Sequence, residues 1–183
     1  MTKRFGFFNL ATFIIWGAVL SAGFTQAAWA QKAYVGGLVG MSVPDYSHTS
    51  ARPMFGVDAG ARFDGEWGLG AYYLSSSKEE SNAGTKFDFN YKLYGIEGTY
   101  HLEGVADNAY FAVKAGMSKI TAGSAEVSPF SWGLGFGYDF PLKDIFSLGV
   151  QAGFMSVNSG EDGGTTVKSF TMLNFLLAAR FWF

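Results

Sequence analysis

The sequence predicts an all-β fold: one antiparallel up-and-down barrel of eight strands. Three observations carry that prediction. Apolar residues recur at every second position over long stretches, the connections between those stretches are short and long by turns, and the 183 residues combine 25 glycines with 18% aromatic side chains. Glycine at roughly twice its usual share of ~7% excludes a coiled coil or an ordinary helical bundle, because each glycine inside a helix costs about 1 kcal/mol. With 49% hydrophobic and only 15% charged residues, the chain is not disordered. The absence of cysteine removes disulfides, thiol catalysis and zinc–thiolate sites. A net charge of −2 gives no reason to expect a nucleic-acid partner.

The first thirty residues read separately from the fold. Lys3 and Arg4 form a basic start, an apolar stretch runs from Leu10 to Leu20, and Ala28-Trp29-Ala30 places small residues before Gln31. A basic region, an apolar core and an A-x-A site describe a secretory signal peptide over residues 1–30, cut after Ala30. The competing reading is an uncleaved anchor, since the uncharged run from Phe5 to Gln31 is long enough to span a bilayer. Removal of Lys3 and Arg4 from the 13 basic residues leaves 11 against 15 acidic ones, a net of −4 for residues 31–183.

The alternation is the mark of strands with two unlike faces. Phe55, Val57, Ala59, Ala61 and Phe63 are separated by Gly56, Asp58, Gly60 and Arg62. Phe130, Trp132, Leu134, Phe136, Tyr138 and Phe140 interleave with Ser131, Gly133, Gly135, Gly137 and Asp139. Turn residues then bound eight strands at about 33–42, 53–64, 67–77, 87–102, 109–120, 129–140, 145–156 and 167–183. The fourth changes phase: Phe87, Phe89 and Tyr91 fall on one parity, Tyr94, Ile96 and Tyr100 on the other. A bulge near Leu93–Gly95 would reconcile them.

Connections at 64–66, 103–108 and 141–144 are short, whereas 43–52, 78–86, 121–128 and 157–166 read as longer polar loops. Such a sheet has two ends that face different compartments. Glycine, serine and alanine dominate one parity, which would make a poor water-facing surface but suits a crowded lumen. The bulky aliphatic and aromatic parity suits lipid. A ten-residue strand rises about 3.3 Å per residue and, tilted by ~40°, covers roughly 25 Å, the height of the apolar band of an outer-membrane barrel. Closure satisfies every backbone hydrogen bond, as lipid requires.

The final strand adds the most specific feature. Leu177, Phe181 and Phe183 are in phase, and the apolar alternation finishes on Phe183. With the strand pattern, this ending resembles the small eight-stranded outer-membrane barrels of the OmpA transmembrane-domain and OmpX-like group. The resemblance implies a Gram-negative-type outer membrane, contact with its lipids, and a terminal signal read by the outer-membrane insertion machinery at Leu177, Phe181 and Phe183.

On the lumen parity lie Asp58, Arg62, Glu97, Lys114, Asp139 and Arg180. Eight strands leave an interior just wide enough for side chains to fill, and isolated buried ions are costly. These residues are therefore expected to pair into a polar plug, with Arg62 and Arg180 facing Asp58, Glu97 or Asp139. For catalysis only His48 and His101 are available. His48 lies in a loop with Ser47 and Asp45 nearby, which invites comparison with lipid A-modifying barrels. Adjacency in sequence does not make a triad, however, and no histidine follows His101. Glu161-Asp162 and Glu79-Glu80 lack the spaced oxygen ligands of a calcium loop. The expected role is non-enzymatic: envelope structure, or recognition of an extracellular ligand at the loops, with no cofactor. A narrow channel is the alternative, and a lipid A-modifying enzyme the third.

Overall fold

A computed structural model describes residues 30–45, 50–63, 65–82, 85–102, 104, 108–122, 125–162 and 165–183. The chain divides into two units, Met1–Ala30 and Gln31–Phe183, and the architecture below is that of the second. The cut proposed after Ala30 involves Ala28 and Trp29, which lie outside the described residues.

Among the described residues eleven strands follow one another: β1 (Ala30–Pro44), β2 (Arg52–Phe63), β3 (Trp67–Asn82), β4 (Thr85–His101), β5 (Ala109–Ala122), β6 (Ala125–Val127), β7 (Phe130–Lys143), β8 (Phe146–Val157), β9 (Gly160–Asp162), β10 (Thr165–Val167) and β11 (Phe170–Trp182). The eight long ones pair with their sequence neighbours. Antiparallel pairing of β1 with β11, from Tyr34↔Trp182 to Pro44↔Met172, and of β4 with β5 closes the sheet into a barrel. Closure removes the edges that a strand would otherwise offer to other chains.

The period-two pattern becomes two surfaces. Val39, Ile96, Val113, Leu134, Phe175 and Leu177 stand exposed on the outer wall, while their chain neighbours face the interior. Aromatic pairs thicken the outer wall near the short turns: Trp67 with Tyr100 (4.9 Å between ring centres), Tyr138 with Phe140 (4.6 Å) and Phe146 with Phe181 (5.0 Å). Such girdles mark the boundary between hydrocarbon and headgroups. Gly65 turns β2 into β3 with φ of 76°, a left-handed conformation that favours glycine.

Three expectations change. The fourth strand has no bulge at Leu93–Gly95, because β4 runs in unbroken register against β3 and β5. Its parity never switches: Phe89, Tyr91 and Leu93 are buried inside, and Tyr94, Ile96 and Tyr100 stand outside. The sheet bulges instead at the short-turn rim, where the β7–β8 register shifts between Pro141 and Lys143. Second, much of the chain read as long loops is hydrogen-bonded ribbon. Strands β3 and β4 pair as far as Asn82↔Thr85, β5 turns back into β6, and β9 pairs with β10. These paired segments carry too few alternating apolar residues for periodicity to announce them, although Val127 of β6 and Val167 of β10 join the apolar core.

Third, the interior is not polar throughout. Toward the long-loop end, Met54, Leu74, Phe89, Tyr91, Leu93, Ile120, Met155, Val157, Phe170 and Met172 form a buried apolar core. Buried serines are interleaved with it: Ser76 stands opposite Tyr91, Ser118 opposite Leu93 and Ser131 opposite Val157, and Ser42 is buried too. One cation sits within it: Arg52 is buried against the Phe89 and Tyr91 rings, and its Nη1 donates to the Phe89 carbonyl at 3.1 Å. The other buried charged residues occupy the half nearer the short turns.

Candidate functional site

The charged half is organised by Arg180. This residue stands near the end of β11, on the inward parity set by Asn174, Leu176 and Ala178, and is 2% exposed. Its Nε and Nη2 donate to Asp58 Oδ2 on β2 at 3.0 and 2.7 Å. Its Nη1 donates to both carboxylate oxygens of Asp139 on β7, at 2.6 and 2.8 Å, and to the Tyr110 hydroxyl on β5 at 3.1 Å. Gln151 Nε2 donates to the same hydroxyl at 2.7 Å. The guanidinium lies 5.0 Å from the centre of the Tyr34 ring on β1. One cation thus ties together five strands. A planar donor fork is suited to this, because guanidinium can serve two carboxylates at once.

Lys114 on β5 and Glu97 on β4, cross-strand partners, form a second ion pair. The Lys114 ammonium also lies 5.0 Å from the centre of the Tyr72 ring. Arg62, half-buried near the β2–β3 turn, donates Nε to the Gly65 carbonyl at 3.1 Å. Of the six lumen residues read from sequence, Asp58, Asp139 and Arg180 meet in one cluster, and Glu97 and Lys114 in another. Room for the first cluster depends on small neighbours. A Cβ on Gly36 would run into Asp58 and Arg180, and one on Gly149 into Asp139.

Sequence reasoning missed Tyr34, Tyr110 and Tyr72 because it assigned aromatic residues to the lipid face. The signal was present in phase: Tyr110 shares parity with Ala112 and Lys114. His101 is likewise buried inside, with Nε2 3.4 Å from Thr99 Oγ1 and its ring 5.2 Å from that of Tyr110. His48 lies outside the described residues. Among the described residues the spaces within the wall are small: about 10 Å³ beside Glu97 and Arg180, and about 20 Å³ beside Lys114 and Asn174. On the outer face Leu177, Phe181 and Phe183 are all exposed.

The family model for the outer membrane protein beta-barrel domain matches residues 16–181. The chain belongs to that family. It is therefore a barrel of the Gram-negative outer membrane, with short turns on the periplasmic side and longer connections outside. Its fold is similar to that of Neisserial surface protein A, with a TM-score of 0.69 at 13% identity, covering 81% of this chain and 96% of that one. It is also similar to Ail, the attachment invasion locus protein of Yersinia pestis, solved with the heparin analogue sucrose octasulfate. There the TM-score is 0.55 at 15% identity, covering 83% of this barrel and 98% of that one. No curated protein matches the sequence.

Proposed function

We propose that this barrel is a closed, non-enzymatic platform that presents its extracellular hairpins to a partner outside the cell. The observation that carries the reading is the filling of the interior along its length: the charge cluster at the short-turn end, then an apolar core, interleaved with serines and holding the paired Arg52, toward the hairpins. An ion path would have to cross that core, where burying an isolated charge costs many kcal/mol. Paired ribbons above a sealed barrel suit recognition rather than passage. The Ail structure contains a sulfated polyanion, but here Lys78, Lys86, Lys119 and Lys168 are interspersed with Glu79, Glu80, Glu126, Glu161 and Asp162. The charge pattern therefore favours a mixed polar partner.

Two measurements test the proposal together. In planar bilayers the purified barrel should give no unitary current steps. Cells carrying a variant that lacks residues 160–167 should insert a folded barrel yet lose attachment to surfaces that the parent binds. Conductance steps would favour the channel reading, and unchanged attachment for every hairpin deletion would end the recognition reading. Two further roles belong to the same proposal. Residues 1–30 serve as a removable signal, so amino-terminal sequencing of the envelope protein should begin at Gln31. Leu177, Phe181 and Phe183 contact lipid and are read by the insertion machinery, a role supported by their shared exposure on one face of the last strand.

A further inference from the structure

The three short turns make an uneven periplasmic rim. Asp64-Gly65-Glu66 carries two acidic residues, and so does Glu103-Gly104-Val105-Ala106-Asp107-Asn108; neither turn contains a lysine or arginine. Arg62 stands beside the first of them, half-buried, and donates to the Gly65 carbonyl. The β7–β8 turn differs. Pro141-Leu142-Lys143-Asp144-Ile145 holds one charge of each sign among three apolar residues. Leu142 is 58% exposed and Ile145 61%. In the ring of eight long strands, the β7–β8 pair lies across the barrel from the β2–β3 pair. The apolar turn therefore stands opposite Asp64-Gly65-Glu66.

The apolar turn continues the lipid-facing wall. Phe140 leads into it exposed, and Phe146 leaves it with its ring against that of Phe181. The Ile145 carbonyl accepts the Trp182 backbone N–H at 2.9 Å, which brings the turn against the end of β11, where Phe183 is 68% exposed. The register shift between Pro141 and Lys143 breaks the strict alternation at this point, and bulges at barrel rims re-aim side chains. Leu142 and Lys143 also border the periplasmic mouth, together with Lys32, Asp139 and Asp144. Across the barrel the wall stops sooner, because Phe63 and Trp67 directly flank the acidic turn.

We infer that the β7–β8 turn and the end of β11 are seated in the headgroup layer of the inner leaflet, so that phospholipid covers the rim here and water bathes it beside β2 and β3. Two observations select this occupant. The exposed apolar residues are continuous with a wall that already faces hydrocarbon, and their turn carries no net charge, whereas each of the other two turns carries two acidic residues that anionic headgroups repel. Lys143, exposed within the turn, can extend its ammonium to a lipid phosphate while its stem stays among the apolar residues. The inference goes beyond the proposed recognition role and does not depend on it, because this rim lies at the opposite end of the barrel from the hairpins.

The chain has no cysteine, so Leu142→Cys, Ile145→Cys and Glu66→Cys can each carry a single nitroxide label. The labelled barrels are placed in phospholipid nanodiscs, where reagents reach both leaflets. Accessibility to oxygen, which concentrates in hydrocarbon, is compared with accessibility to a water-soluble nickel chelate. At positions 142 and 145 nickel accessibility should be about fivefold lower than at 66, with oxygen accessibility retained, as for groups seated at the headgroup boundary. The free label in water gives a second reference. Migration of unheated against boiled samples verifies folding, and if one turn variant does not fold, the other decides. Equal nickel accessibility at all three positions overturns the inference, because the turn then stands in water. Low accessibility to both reagents overturns it as well, because protein then covers the turn. Shielding that persists on tenfold dilution of the barrel in lipid supports phospholipid as the cover, and shielding lost on dilution assigns it to a second copy and overturns the inference.

Discussion

Replacing Arg180 by methionine should be among the most damaging single changes in the barrel interior, and simultaneous removal of its partners should reverse most of the damage. In the parent, Arg180 donates four hydrogen bonds to two aspartates and a fifth to Tyr110. Arg180→Met leaves Asp58 and Asp139 buried on strands that other pairings hold in place. Loss of one partner of a buried ion pair costs about 3–5 kcal/mol, and two carboxylates compete here for relief. Asp139→Asn should cost less, roughly 1.5–3 kcal/mol for the charge-assisted bonds lost, because Arg180 keeps Asp58 and Asp139 borders the periplasmic mouth. The triple variant Arg180→Met/Asp58→Asn/Asp139→Asn carries no stranded charge and should fall within about 2 kcal/mol of the parent. Urea unfolding of the refolded barrel in lipid vesicles, followed by gel migration and tryptophan fluorescence, measures these variants and Asp58→Asn. A triple variant as unstable as the summed single losses would refute the reasoning. So would an Arg180→Met barrel within 1 kcal/mol of the parent, which would mean that water reaches the cluster and solvates the aspartates.

Three further outcomes follow from the same geometry. Gly36→Ala should destabilise the barrel by about 1–3 kcal/mol, the usual range for overpacking, because its Cβ would displace the Asp58–Arg180 contact; the same unfolding assay reads it, with Gly37→Ala, whose Cβ meets nothing, as control. Leu177→Arg places a cation on the outer wall and should cost about 2–4 kcal/mol if that position lies at the bilayer midplane, whereas Phe183→Asp, at the rim, should change refolded stability little; unfolding in vesicles compares them. Met172→Ala opens a hole in the apolar core and should cost about 2–5 kcal/mol, measured by the shift of the urea midpoint.

The sequence made the strand count, the closed topology and the two faces legible, because a lipid-facing strand repeats a bulky residue at every second position. It passed over Arg52, which is buried at the start of β2, but it put Asp58, Glu97, Lys114, Asp139 and Arg180 on the inward parity. Their partnerships were not legible. Whether Glu97 meets Arg180 or Lys114 depends on how far each strand is staggered around the ring, and only the β4–β5 register places Glu97 opposite Lys114. The apolar core was hidden for a related reason. An inward Phe89 or Tyr91 has the same composition signal as an outward one, so residue type pointed to a bulge where the backbone has none. The extracellular ribbons left no trace because their stability comes from cross-strand backbone bonds, which alternation does not encode.

The span of the Arg180 cluster along the chain has a consequence for assembly. Arg180 reaches Asp58 across 122 residues, Tyr110 across 70 and Asp139 across 41. No hairpin or partial meander that lacks the last strand contains the guanidinium that bonds both aspartates, so the network cannot form piecemeal. Until β11 arrives between β1 and β8, an incomplete sheet holds two carboxylates aimed at what will become its dry interior. Such a sheet is better solvated as an open, wet intermediate than as a collapsed one. The same residues that stiffen the finished barrel thus discourage premature closure around the wrong number of strands, and the final strand brings the counter-charge that makes the correct closure favourable.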